Sequence, residues 1–193
     1  MLPELVVASA NPDKVKEISS VLDGLVALIP RPDHVPDVVE DGDTLEDNAR
    51  LKAQAILKAT GIAALSDDTG LSVDALGGEP GVHSARYSGE NATYEENVEK
   101  LLQNLDGVPP RLRTARFKTV AMICYPDGSE IIATGVVEGM ISESRKGDQG
   151  FGYDPVFIPY EGDGSSFAEM GEEKHGISHR GRALRNLVEM INS

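Results

Sequence analysis

Six residues near the start of the chain, Ser9-Ala10-Asn11-Pro12-Asp13-Lys14, link a short apolar run, Leu5 to Ala8, to residues at helical spacing, Val15, Ile18, Val21 and Leu22. A helix N-terminus presents amide N–H groups that lack intrahelical partners, and a nearby lysine adds a full positive charge. Together these suit a phosphate. Neither G-x-x-x-x-G-K-[ST] nor G-x-G-x-x-G is present, and the same residues also describe an ordinary capped helix start. A second group is Asp67-Asp68, after the apolar run Ile62 to Leu65 and before Thr69-Gly70. Two adjacent carboxylates ionise together only at a cost where the dielectric is low, and a divalent cation relieves the repulsion. Mg²⁺ takes one or two carboxylates and completes its shell with waters and phosphates. The alternative is a solvated Asp-Asp-Thr-Gly turn.

Glu40, Asp41, Asp43, Glu46 and Asp47 precede or open a second helix, where acidic residues either compensate the helix dipole or complete a metal site. Lys52 lies one turn beyond Asn48 on the same helical face, so both are candidates for one cleft. A third group, Phe151-Gly152-Tyr153-Asp154, sets rings beside a glycine and offers a carboxylate acceptor for a base nitrogen. The competing reading is a strand entry with core aromatics. The fourth is Glu173-Lys174 with Ser178-His179-Arg180-Gly181. Ser178 as a cap puts His179 and Arg180 in the first turn of the last helix, the wrong end for cations. Gly181 is a poor helix former as well. Such a local conflict points to a reason outside the helix, such as an anionic or carbonyl-bearing ligand.

The elements that carry these groups are legible from spacing. Asp43 or Thr44 caps a helix with the stripe Leu45, Ala49, Ala53, Ile56 and Leu57, and Gly61 ends it. The strand after Gly61 is expected to stop at Ser66-Asp67-Asp68-Thr69-Gly70, with a new one from Leu71 to Leu76 and a loop at Gly77-Gly78-Glu79-Pro80-Gly81. A third helix starts at Thr93 with Tyr94, Val98, Leu101, Leu102 and Leu105 on its inner face, and Pro109-Pro110 stops it. Ala115 to Tyr125 and Glu130 to Val137 flank Pro126-Asp127-Gly128 as a hairpin. The last helix carries Leu184, Leu187, Val188 and Ile191. Interleaved helices and strands with an antiparallel hairpin predict an α/β fold with a mixed sheet.

Length and composition narrow the function. The 193 residues suit a single domain, and 40% hydrophobic residues supply a sizeable core. With 32 acidic against 18 basic residues, the net charge of -14 disfavours nucleic acid or an anionic membrane as the main partner. A small anionic ligand, gathered by a metal and a few cations, stays compatible. Cys124 is the one cysteine, which excludes an intrachain disulfide and a zinc–thiolate cluster. Leu5 to Ala8 is too short for a signal-peptide core and no later stretch approaches a membrane span, so the expected location is the cytoplasm.

Taken in order, the segments resemble the inosine triphosphate pyrophosphatase, or Ham1-like, family. The matching stretches are Ser9 to Lys14, Asp47-Asn48-Ala49 with Lys52-Ala53, Ser66 to Leu71, Leu76 to Val82, Ser84-Ala85-Arg86-Tyr87, Gly150 to Pro155 and Ser178-His179-Arg180. The family usually has Glu where this chain has Asp47, more often Ser at Thr69, and frequently Thr at Ser9. The resemblance implies an elongated mixed sheet flanked by helices, two lobes with a central nucleotide cleft, and a homodimer.

By the same resemblance, Glu40 and Asp68 are the magnesium carboxylates and Asp68 the proton acceptor. Ser9, Ala10, Asn11, Pro12, Asp13 and Lys14, with Lys52 and Thr69, form the triphosphate set. Phe151, Gly152, Tyr153, Asp154, Lys174, His179 and Arg180 form the base set. The implied reaction is Mg²⁺-dependent hydrolysis of non-canonical purine nucleoside triphosphates (ITP, dITP, XTP) to monophosphate and pyrophosphate. Competing readings are a phosphatase of the haloacid dehalogenase type, which uses alternating rather than adjacent aspartates, a non-catalytic nucleotide-binding module, and the related Maf-like pyrophosphatases.

Overall fold

The computed structural model describes residues 2–191. In chain order the elements are β1 (Glu4–Val7), α1 (Pro12–Leu22), β2 (Ala27–Ile29), α2 (Leu45–Thr60), β3 (Ala64–Val73), β4 (Pro80–Gly81), α3 (Tyr94–Asn104), β5 (Thr114–Cys124), β6 (Glu130–Ile141), β7 (Phe157–Pro159), α4 (Phe167–Met170), α5 (Lys174–Ile177) and α6 (His179–Ile191). The expected mixed α/β class is the one observed. Seven strands form one sheet in the order β2-β1-β3-β5-β6-β7, with β4 paired to β3. β1 runs parallel to β2 and β3, whereas β4 and β7 lie antiparallel to β3 and β6.

Local chemistry sets the helix ends. Asn11 is extended, and its side-chain oxygen accepts from the amides of Asp13 and Lys14, while Pro12 takes a first-turn position that has no amide to satisfy. Thr44 caps α2 through the Asp47 amide, and Gly61 closes that helix with a φ of 69°. Thr93 and Glu96 form a reciprocal capping box at α3.

Three expectations are corrected. β3 is one continuous strand through Ser66-Asp67-Asp68-Thr69-Gly70, not a strand, a turn and a second strand. Its polar side chains find buried partners there: Ser66 Oγ, for instance, donates to the Ala49 carbonyl at 2.6 Å. The second hairpin strand runs on to Ile141, four residues past the expected end. Tyr94 opens α3 but is 36% exposed instead of joining the core with Val98 and Leu101.

The chain divides into two compact units. One comprises the residues up to Asp68, Thr119–Gly135 and the chain from His179 onward. Its core holds Leu5, Val7, Ile18, Leu22, Leu65, Ile123, Leu184 and Leu187, together with Val6, Ala49, Ala53, Ile56, Val120 and Met122. Gly135 in β6 lets the backbone of α6 approach closely, since a Cβ there would lie 2.0 Å from the His179 carbonyl oxygen. The other comprises Thr69–Lys118 and Val136–Ser178, around Leu71, Val98, Leu101, Leu105, Val137, Ile141 and an aromatic group. Within that group, Phe157 sits 4.7 Å from Phe117 and 5.1 Å from Phe167 between ring centroids.

Candidate active site

In the first unit, α1, α2, β3 and α6 bring together residues far apart in sequence. Lys14, in the first turn of α1, places its ammonium 3.5 Å from Asp67 of β3. Arg180, at the start of α6, donates from Nε to the same Asp67 oxygen at 3.1 Å and pairs through a terminal nitrogen with Glu17 of α1. Arg180 is 2% exposed and Glu17 6%, so this pairing lies away from water. Burial alone would push the Asp67 carboxyl up; Lys14, Arg180 and Lys52 overcome that and hold it well below the usual carboxylate range. Burial also draws Lys14 below its ordinary value, against the pull of Asp67.

One residue along β3, Asp68 accepts from Lys52 of α2 at 2.9 Å, and the same ammonium lies 3.2 Å from Glu40. Burial disfavours the Lys52 charge, yet Asp68, Glu40 and Asp67 outweigh it and raise its pKa above the ordinary lysine value. Burial pushes the Glu40 carboxyl up, with Lys52 opposing. Asn48, fully buried on α2, anchors the segment after Glu40 by accepting from the Gly42 amide at 2.9 Å. A Cβ at Gly42 would meet that Asn48 oxygen at 2.8 Å. Asp47 faces its own cap, accepting from the Thr44 hydroxyl at 2.6 Å.

Glu40 and Asp68 therefore converge on a single cation, the Lys52 ammonium. Two hard oxygen donors of this kind are a donor set of the chemistry that Mg²⁺ takes. Among the described residues no group of three or more His, Cys, Asp and Glu side chains is arranged to hold a metal. A two-carboxylate site that shares its ion with a substrate does not require one. The turn after β1 borders a cavity of about 570 Å³ whose lining includes Ser9, Ala10, Val15 and Arg31 but none of Glu40, Lys52 and Asp68. The Ser9 hydroxyl accepts from the Asn11 amide at 3.2 Å, which fixes the turn. His179 packs its Nδ1 2.7 Å from the Thr119 hydroxyl, both buried.

In the second unit, Asp154 organises the aromatic segment. Its Oδ2 accepts from the Phe151 amide at 2.9 Å and from the Lys174 ammonium at 2.7 Å. That ammonium stands 5.1 Å from the centre of the Phe151 ring, a cation–π contact. Gly150, with a φ of 73°, permits the close turn, for a Cβ there would meet Asp154 at 2.1 Å. The Tyr153 hydroxyl donates to the Ser84 carbonyl at 2.8 Å and is not turned toward solvent. Burial raises its pKa above the usual phenol range. Thr69 is half-buried in β3.

The chain as a whole is similar to known proteins. A family model described as the Ham1 family matches residues 5–190. The chain belongs to the Ham1 family. A dITP/XTP pyrophosphatase of Geobacter sulfurreducens is 48% identical over 98% of this chain and 97% of its own length. One from Caldanaerobacter subterraneus is 46% identical over 97% and 95%. Among solved structures, a Ham1 protein from Coxiella burnetii superposes with a TM-score of 0.89 at 39% identity, covering 99% of both chains.

Within this Ham1 chain, two functional-looking residues escape the sequence reading. Asp67 stands out there only as the neighbour of Asp68, yet it holds both Lys14 and Arg180. Glu17 is unnoticed, although a carboxylate one turn after Lys14, beside Ile18 on the buried face of α1, is the signal that marks it. No helix among the described residues is long and apolar enough to cross a membrane.

Proposed function

We propose that this Ham1 chain hydrolyses non-canonical purine nucleoside triphosphates, with ITP, dITP and XTP as substrates, to the monophosphate and pyrophosphate, using Mg²⁺. The observation that carries the reading is the convergence of Glu40 and Asp68 on one cation, with a second, half-buried lysine, Lys14, on the neighbouring Asp67. Support comes from relatives named dITP/XTP pyrophosphatase at 46–48% identity over nearly the full chain.

Bound between Glu40 and Asp68, Mg²⁺ would supply charge neutralisation on the phosphate oxygens. Asp68 accepts the proton of the attacking water as that water's oxygen bonds to the α-phosphorus. The bond from the α-phosphorus to the oxygen bridging to the β-phosphate breaks, and pyrophosphate leaves with the electron pair. Lys14 and Lys52 offset the charge that builds on it, and the turn from Ser9 to Asp13 borders the phosphates in this reading. Lys174, fixed by Asp154 and lying over Phe151, is the donor we assign to the purine 6-oxo group. A 6-amino group offers no acceptor there and sets its own N–H groups against the ammonium, a mismatch that discriminates by up to about 10⁴-fold. His179 belongs to the same base set in this reading, and the setting it supposes is a homodimer in the cytoplasm.

Product analysis with ITP and Mg²⁺, with ATP alongside, tests the proposal. IMP plus pyrophosphate from ITP, and little turnover of ATP, is the expected result. Orthophosphate as product, equal kcat/KM for ATP and ITP, or tight binding without turnover would overturn it.

A further inference from the structure

The Phe151 ring is braced from outside its own loop. Tyr94, the first residue of α3, sets its ring 5.8 Å from that of Phe151 at an interplanar angle of 42°. The Lys174 ammonium approaches the same ring at 5.1 Å. Backbone bonds fix where the Phe151 main chain sits, through Asp154 and the Tyr153–Ser84 contact, but a ring can still turn about its side-chain bonds. Tyr94 is itself well anchored, because Thr93 and Glu96 lock the residue before it into a capping box. It is also out of place as a core residue: it is 36% exposed while its ring is tilted against that of Phe151. A large, partly exposed aromatic that packs against another aromatic, not into the core, is positioned for recognition.

We propose that Tyr94 is a positioning residue for purine recognition, holding the Phe151 ring in the plane on which the base stacks. The inference rests on the reading of Phe151 as part of the base set and adds to it a residue from a different element. Tilted aromatic pairs contribute modestly beyond the area they bury, so removing one partner translates into about a 2- to 10-fold loss of affinity.

The test compares Tyr94→Ala, Tyr94→Phe, Phe151→Ala and the double Ala variant for KM and kcat with ITP, with the thermal midpoint of each as a check on folding. Tyr94→Ala is expected to raise KM about 2- to 10-fold with little change in kcat. Tyr94→Phe, which keeps the ring, restores the wild-type value. The double variant is no worse than Phe151→Ala alone, because Tyr94 acts through that ring. If Phe151→Ala raises KM and Tyr94→Ala does not, or if the two losses add fully, the role of Tyr94 is overturned. A uniform fall in kcat and thermal midpoint for Tyr94→Ala also overturns it, since that marks a purely structural contact. If Phe151→Ala leaves KM unchanged, the base-set reading itself fails, and Tyr94 with it.

Discussion

The Lys52 ammonium stands between two carboxylates, 2.9 Å from Asp68 and 3.2 Å from Glu40, which come from opposite sides of α2 in sequence. One positive charge thereby gathers two negative ones that would otherwise repel. In the proposed reaction it also leaves the lysine where the polyphosphate is neutralised. Replacing Lys52 with Met removes both functions. The expected result is a fall in kcat of about 10²–10³, the usual cost of deleting one preorganised charge partner of a transition state. Steady-state kinetics with ITP check it, and a loss confined to KM would argue that Lys52 only binds.

Asp68→Asn keeps the shape of the side chain and a hydrogen-bond acceptor for Lys52 but cannot take a proton. Turnover should drop by about 10²–10⁴ while nucleotide still binds, as measured by calorimetric titration alongside kinetics. Near-normal kcat in this variant would remove Asp68 from the role of base.

Gly135 is a packing prediction independent of chemistry. Its missing side chain admits the backbone of α6, and an added Cβ would lie 2.0 Å from the His179 carbonyl oxygen and 2.5 Å from the Ala183 amide. Both neighbours are backbone, so neither can rotate aside. Gly135→Ala should therefore destabilise the fold by about 1–3 kcal/mol or more, read from urea unfolding. Because α6 carries His179 and Arg180, activity should fall with it.

Cys124 is 2% exposed, and burial, then the nearby Glu130, pushes its thiol up to about 11. At pH 8 only about one thiol in a thousand is then ionised, and the thiolate is the reactive species. A thiol-specific disulfide reagent should leave the native protein unlabelled over the time in which the urea-unfolded chain reacts completely. Fast labelling of the native state would contradict the burial.

The elements were legible where their signals are local. Thr44 and Gly61 bracket α2 and Thr93 opens α3 because caps are short-range chemistry, readable in a few residues. Ser66 to Gly70 misleads for the opposite reason. Polar residues in a row look like a turn until Lys14, Lys52 and Arg180 arrive from 16 to 113 residues away to neutralise them inside a strand. Tyr94 misleads likewise, since helical spacing placed it with Val98 on the core side and nothing nearby in sequence announces Phe151. The misplaced cations at the start of α6 suggested a ligand, but for Arg180 the structure supplies the answer from within the protein, in Glu17 and Asp67, neither on its own helix.

That answered charge makes the strongest stability prediction. Arg180→Met takes a buried guanidinium away from the Glu17 and Asp67 carboxylates, and breaking a buried pair from one side costs about 3–5 kcal/mol. For a chain of this size that corresponds to a drop of about 6–20 °C in the thermal midpoint. The pH dependence follows from the same residues. In the wild type the Asp67 carboxyl is held below its unfolded value, so its pairing contributes stability above about pH 4, a contribution lost as the pH falls through the folded value. With Arg180 gone, that depression shrinks, leaving burial to push the carboxyl up against Lys14 and Lys52. The variant should therefore lose less stability than the wild type between about pH 4 and pH 2, so that their thermal midpoints converge on acidification. Calorimetric scans across that range decide it, and a gap that stays constant with pH would show that Arg180 contributes through packing alone.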